Sequence, residues 1–299
     1  MTAFPLLPML ERPRGAAPIP PGHALLRCPV CHLDLAAAAS LLVCGNRHSF
    51  DLARDGYVNL LDGRRRSLMA RGDSAEQLDH RTSFLEAGHF NPVGAAIAAH
   101  VTRAGPTSPA RSRRVLDAGC GTGHHLAGVS AALRTPVIGL GFDVARTAAQ
   151  RAARRWRELA FAVADVWAEW PVQDEAADLV LSIFAPKNFA EMSRVLRPGG
   201  WLALAYPGPD HLAELVHRFG LLQQQAGKTG RYAEAMQRLI GPTTTIRLAH
   251  RVRLDRESVR HAVLMGPNAR HIAASALDVE AAAMDVTIDI AMLFARKPG

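Results

Sequence analysis

Three cysteines and one histidine near the start of the chain have the spacing of a metal site. Cys28-Pro29-Val30-Cys31 is followed by twelve residues and then by Cys44-Gly45-Asn46-Arg47-His48, a C-x2-C-x12-C-x3-H pattern. Two short loops that each present two soft or borderline donors meet the tetrahedral demand of Zn2+. Pro29 stiffens the first loop, and Gly45 and Asn46 allow the second the backbone freedom of a metal knuckle. A lone C-x2-C also suits a redox pair, but a second pair at ribbon-like spacing points to zinc. The competing reading is a set of buried structural cysteines with His48 on the surface. Four protein ligands close the shell, so the expected zinc is structural rather than catalytic. A unit of about 35 residues is too small for an adequate core, which makes the metal a main source of its folding free energy.

The second constellation is Arg114-Val115-Leu116-Asp117-Ala118-Gly119-Cys120-Gly121-Thr122-Gly123, an apolar strand ending in an acid and then a glycine at every second position. A helix is expected next, from His124 to Leu133. Glycines at this spacing let the backbone approach a ligand closely at the end of a parallel strand. Val137 to Asp143 reads as the following strand and ends in an acid 20 residues after Gly123. That spacing places a carboxylate where it can accept hydrogen bonds from a ribose. A dinucleotide unit is the alternative. The acid directly before the turn would sit badly beside a pyrophosphate, and the spacing is not G-x-G-x-x-G.

These residues need a frame. The chain has 299 residues, 48% hydrophobic and 21% charged, enough for one large core and a small appended unit. No uncharged apolar run is long enough to span a membrane. Residues 1–24 hold six prolines and lack the basic start and apolar segment of a secretory signal, so they read as a disordered tail. Four cysteines are too few for a disulfide framework and fit a reducing cytoplasm. A net charge of +8 points to a polyanionic partner, although a basic proteome gives the same total. Arg64, Arg65, Arg66 and Arg71 follow the metal unit as a linker that could neutralise phosphates or simply be solvated. Asp73-Ser74-Ala75-Glu76 starts a helix with Asp73 as N-cap, running from Ser74 to Ala87 and closed by Gly88. On pattern alone Phe90 reads as core. Ile246, Leu248, Val252 and Leu254 alternate, as do Val286 to Phe294, giving two late strands with one buried face each.

Val115 to Gly123 resembles the S-adenosylmethionine-binding motif of class I methyltransferases, and the order of the remaining elements resembles theirs. Phe161 to Asp165 is similar to the third strand, whose terminal acid lies near the adenine. Asp178 to Ile183 is similar to the fourth, with Phe184-Ala185-Pro186-Lys187-Asn188 at the acceptor end. Leu196-Arg197-Pro198-Gly199-Gly200-Trp201 is similar to the turn before the fifth. The resemblance implies a Rossmann-like α/β domain with a seven-stranded mixed sheet, preceded by a zinc-ribbon-like module. The expected boundaries are 1–24 for the tail, 25–62 for the module, 63–92 for the basic linker and helix, and 93–299 for the methyltransferase domain.

The combination of this head with Gly56-Tyr57-Val58-Asn59-Leu60-Leu61, Gly72-Asp73-Ser74 and Ala87-Gly88-His89-Phe90 resembles the bacterial 23S rRNA (guanine-N1)-methyltransferases. Ala164-Asp165-Val166-Trp167 and Gly123-His124-His125 are similar to the actinobacterial branch that includes macrolide self-resistance enzymes. The resemblance implies zinc on Cys28, Cys31, Cys44 and His48, with the module gripping a 23S rRNA hairpin. It also implies S-adenosylmethionine contacts from Phe90, Asp117, Gly119, Thr122, Gly123, Asp143, Asp165 and His211. His211 equally fits the first turn of an ordinary helix. Guanine N1 carries a proton, and His89, Asp73 and His211 are the candidates to take it; no spacing singles one out. A small-molecule methyltransferase and a non-catalytic RNA-binding protein are the competing functions. Both a monomer and a homodimer are compatible with the sequence.

Overall fold

Pro21 at the first helical position starts a 3₁₀ turn, Pro21–Leu25, in which Gly22 and His23 are buried. A computed structural model describes residues 18–61, 72–103, 112–221, 227–266, 277 and 282–299. The tail expected over 1–24 therefore ends earlier: residues 1–17 lie outside the described residues, but the chain is packed by Gly22. A side chain there would collide with the Gly139 carbonyl, so glycine permits the turn to close on the sheet.

The metal unit is an antiparallel meander, β1 (Leu35–Ala38), β2 (Leu41–Cys44) and β3 (Ser49–Asp51), in the order β1-β2-β3. β4 (Tyr57–Asn59) then leaves it to join the main sheet. The four linker arginines, Arg64, Arg65, Arg66 and Arg71, lie outside the described residues. α1 (Ala75–Glu86) is capped by Ser74, whose hydroxyl accepts from Gln77 N while Ser74 N donates to the Gln77 side chain. The capping box thus sits one residue later than the expected Asp73–Glu76 pair, because the Asp73 carboxylate is taken by Arg81. Gly88, at φ +82°, terminates the helix as expected, and α2 (Asn91–Arg103) follows.

The Rossmann-like core alternates β5 (Arg113–Ala118), α3 (His124–Ala132), β6 (Val137–Asp143), α4 (Arg146–Arg155), β7 (Ala160–Val163), β8 (Ala177–Ile183), α5 (Phe189–Val195) and β9 (Leu196–Pro207). Apolar runs buried along their whole length, as in β7 and β8, are what a parallel sheet covered on both faces requires. α6 (Ala213–Phe219), α7 (Lys228–Leu239), β10 (Thr243–Leu254), α8 (Arg256–Leu264) and β11 (Met284–Arg296) complete the described chain. β11 runs antiparallel between β9 and β10, so the two late alternating segments form the antiparallel end of the sheet.

Among the described residues the sheet has eight strands, in the order β10-β11-β9-β8-β5-β6-β7-β4, instead of the expected seven. The extra one is β4, parallel to β7 through Tyr57 opposite Phe161. The boundary expected at residue 62 is therefore not a structural divide. Leu26, Leu35, Leu42, Cys28 and Cys44 also share one hydrophobic cluster with Phe142, Trp170 and Val172, so the module borrows the core it is too short to build. Strand order reverses between β5 and β8, and the crevice outside their carboxyl ends is where an open α/β sheet binds its ligand.

Candidate zinc centre and cofactor crevice

Cys28, Cys31, Cys44 and His48 bring one ligand atom each to within 4.8 Å of one another. Cys31 Sγ lies 3.6 Å from Cys44 Sγ, and His48 Nδ1 lies 3.5 Å from Cys28 Sγ and 3.4 Å from Cys44 Sγ. A tetrahedral zinc with ordinary Zn–S and Zn–N bonds has ligand–ligand edges of roughly 3.5–3.8 Å, so the donors already have the spacing the ion requires. The Leu33 amide is the largest influence holding the Cys31 thiol down at about 6, toward the thiolate a metal needs. The alternative with His48 at the surface, apart from the cysteines, does not occur. Three cysteines and a histidine would fill the coordination shell of a zinc ion and make it structural.

At the crevice, Gly119, Gly121 and Gly123 all have positive φ, at +77°, +54° and +77°. Gly119 N and Cys120 N both donate to Phe142 O, which folds the turn over the end of β6. A Cβ at Gly119 would lie 2.5 Å from that of Ala185, whereas one at Gly121 would meet nothing nearer than Arg81 Nη1 at 4.0 Å. The turn is thus tight on one side and open on the other, as a cradle must be. Asp143 supports it: Oδ2 accepts from Gly121 N at 3.0 Å and Oδ1 from Ala145 N at 2.8 Å. Each oxygen retains a lone pair for a ribose hydroxyl. Thr122 is buried, and its carbonyl accepts from Trp156 Nε1. Asp165, just past β7, accepts from Trp167 N.

Asp117, the penultimate residue of β5, is 1% exposed, and its Oδ1 has no hydrogen-bond partner among the described residues. Burial, then the Asp143 carboxylate, push its pKa up to about 7 against the pull of Lys187. A buried acid with an idle oxygen suits a cationic ligand group. The same crevice region carries a set of rings. Phe90 stacks on Phe184 with centroids 5.3 Å apart and 26° between planes, and lies 5.7 Å from His211 and 6.5 Å from His125. Burial is the main cause that drives His125 down to about 3 and His211 down to about 4, so both imidazoles are neutral at physiological pH. Neutral rings and an idle carboxylate accept a sulfonium and an ammonium without charge repulsion. The residues present therefore fit S-adenosylmethionine, the cofactor of this methyltransferase domain.

His211 precedes α6 rather than opening it, and its Nδ1 accepts from Asp289 N at 3.3 Å. Phe184, which the sequence placed only within the segment at the acceptor end, and His125, which it gave no cofactor role, join the cluster. The available signal was an aromatic directly after the apolar run of β8. Asp289 and Arg247, which pin the loop carrying His211, had no sequence signal beyond an acid and a cation within alternating strands. Among the described residues, no helix is long and apolar enough to cross a membrane.

Comparison with known proteins agrees with this geometry. The family described as "RlmA, N-terminal", a zinc ribbon, matches residues 26–66, and one described as "Methyltransferase domain" matches residues 115–200. The 23S rRNA (guanine(748)-N(1))-methyltransferase of Streptomyces fradiae is 41% identical over 82% of this chain and 86% of its own length. A Micromonospora griseorubida protein, provisionally named a 23S rRNA (guanine-N1)-methyltransferase, is 41% identical over 91% of this chain and 96% of its own. YxjB of Bacillus subtilis, provisionally given the same activity, is 32% identical over 92% and 98%. With a zinc-ribbon head, a methyl-donor crevice and full-length relatives of this kind, the chain belongs to the 23S rRNA (guanine-N1)-methyltransferase family.

Proposed function

We propose that the chain methylates N1 of the guanine equivalent to position 748, in a hairpin loop of cytoplasmic 23S rRNA, and thereby protects the ribosome against macrolides. The position is the one named for the Streptomyces fradiae relative. The observation that carries the site reading is Asp117, a buried acid with an idle oxygen near the end of β5, together with the neutral cluster of Phe90, His125, Phe184 and His211.

Bound S-adenosylmethionine supplies an electrophilic methyl group on a sulfonium. Asp117 would hold its amino group, the glycine turn from Gly119 to Gly123 with Thr122 would cradle its amino-acid end, Asp143 would hold the ribose, and Asp165 would lie by the adenine. Phe90 and His211 would flank the sulfonium. The chain's task is to align guanine N1 in line with the methyl group and to exclude water.

The N1 proton must also leave. His211 accepts at Nδ1, so its neutral tautomer carries hydrogen on Nε2 and can donate but not receive there. Asp73 is committed to Arg81. His89, kept neutral by burial, is left as the proposed proton acceptor. Primer extension on 23S rRNA from cells lacking the enzyme, with and without purified protein and cofactor, tests the whole reading. A new stop one nucleotide before guanine 748 is expected, because N1 methylation blocks pairing. A stop elsewhere moves the target, and no stop despite cofactor binding removes guanine N1.

A further inference from the structure

We infer that Phe184 is the platform on which the extruded guanine stacks. This rests on the proposed reading that the acceptor is a base in an RNA loop.

Phe184 holds φ at +54°, a left-handed conformation that bulky residues rarely adopt. Packing does not demand it, since the side chain is 37% exposed. The surrounding turn enforces it. Phe184 N still donates to Ala205 O at 2.9 Å, at the last rung beside β9. Directly afterwards, Lys187 Nζ donates to Ser182 O, Ser182 Oγ and Ala185 O, and Ser182 Oγ donates to Pro186 O. Asn188 Nδ2 ties the same turn to Val166 O and Ala168 O. A strained conformation held by so many bonds is found where function needs it.

The conformation sets the ring nearly parallel to Phe90, at the rim of the aromatic cluster and past the strand reversal. Asp143 and Asp165, the groups suited to ribose and adenine, lie on β6 and after β7, on the other side of β5. Phe184 therefore stands on the acceptor side of the crevice with part of its ring accessible. A base taken out of a loop loses its stacking partners, and an aromatic face at the pocket mouth replaces them.

The test uses an RNA hairpin with 2-aminopurine at the target position, whose fluorescence is quenched by stacking, together with the unmodified hairpin. Wild-type protein with S-adenosylhomocysteine should leave the extruded base quenched. Phe184→Ala should brighten it and lower kcat/KM for the unmodified hairpin by roughly ten- to a hundredfold, the range for one lost stacking contact. Phe184→Tyr should restore both. Phe184→Leu, which keeps apolar bulk without a π face, should behave as Ala does, with a cooperative melt confirming that it folds. Folded Ala and Leu variants that quench and methylate like wild type would overturn the platform while leaving the function intact. Wild-type protein that transfers no methyl to the unmodified hairpin would overturn the function, and the platform with it.

Discussion

Leu26 pairs with Val172 across an antiparallel bridge, which joins the approach to the zinc knuckle to the connection between β7 and β8. The next residue extends the link: Arg27 N donates to Pro171 O, and its guanidinium pairs with Glu169 and Asp174. His32, on the knuckle itself, lies 3.5 Å from the same Glu169. The metal centre and the connection between β7 and β8 are thus parts of one packed body.

Removal of zinc should accordingly weaken the whole chain. Chelation, or Cys44→Ser, is expected to shift a single cooperative thermal transition downward on the order of 10 °C, since several kcal/mol are lost and each shifts Tm by roughly 2–4 °C in a chain of this size. Cofactor affinity should fall with it. Calorimetry with and without chelator decides the matter: a separate low-temperature transition that leaves cofactor binding intact would contradict the shared core.

Much of this was legible because it is local. C-x2-C and C-x3-H fix four donors through loop geometry, and an apolar strand followed by alternating glycines fixes the crevice, so spacing suffices. Asp73 was misread as the cap because the choice between Asp73 and Ser74 depends on Arg81, two turns further on. β4 was hidden because three residues of strand carry no periodicity, and only the β7 edge makes Tyr57–Asn59 a strand. The packing of Pro21–Leu25 depends on Gly139, more than a hundred residues away. Phe184 follows an apolar run and looks like its continuation; its left-handed backbone is imposed by Lys187 and Ser182.

Asp117, proposed to hold the amino group of the cofactor, should make cofactor binding proton-linked. Its folded pKa of about 7 stands above an unfolded value of ~3.9, so the native chain holds a proton there that the unfolded chain has lost. The corresponding stability is fully present below about pH 4 and is lost as pH rises through about 7. Asp117→Asn should abolish this slope and leave the cofactor-free protein more stable than wild type at pH 8, by an amount on the order of a few kcal/mol. A cationic ligand group pulls the carboxyl back to its ionised form. Wild-type affinity for S-adenosylmethionine should therefore weaken below pH 7, by at most about tenfold per pH unit, while the Asn variant binds weakly without that dependence. Titration calorimetry in buffers of different ionisation enthalpy reads the proton directly.

The His211 loop is clamped by Asp289. Burial acts to raise this carboxyl, but bonds from Arg247 and the Asp210 amide outweigh it and hold it below the usual range. Oδ1 accepts from Arg247 Nε at 2.8 Å, and Oδ2 from Arg247 Nη2 and Asp210 N at 2.9 Å. A Cβ on Gly208 would lie 2.3 Å from Oδ2, so only glycine lets the loop close around the acid. Asp289→Asn should cost about 1–3 kcal/mol of stability and raise KM for the cofactor more than it lowers kcat. The wild-type contribution, present at neutral pH, should fade as pH falls through the depressed folded pKa. Equal losses in kcat and KM, or an unchanged melt, would argue against the clamp.

Phe184 offers a reversal of an ordinary rule. Within a strand or turn of normal backbone, alanine is more stabilising than glycine by roughly 0.5–1 kcal/mol, because glycine loses more freedom on folding. At φ +54° the order should invert, since any Cβ in the left-handed region costs roughly 1–2 kcal/mol that glycine avoids. Phe184→Gly is expected to melt above Phe184→Ala, although both lack the ring and both should methylate RNA equally poorly. The comparison holds side-chain loss nearly constant and varies only the strain, so thermal melts of the two variants isolate what the turn around Lys187 imposes on the chain. If Ala proved the more stable of the two, the backbone at 184 would be relaxed, and the ring's position would owe nothing to enforced geometry.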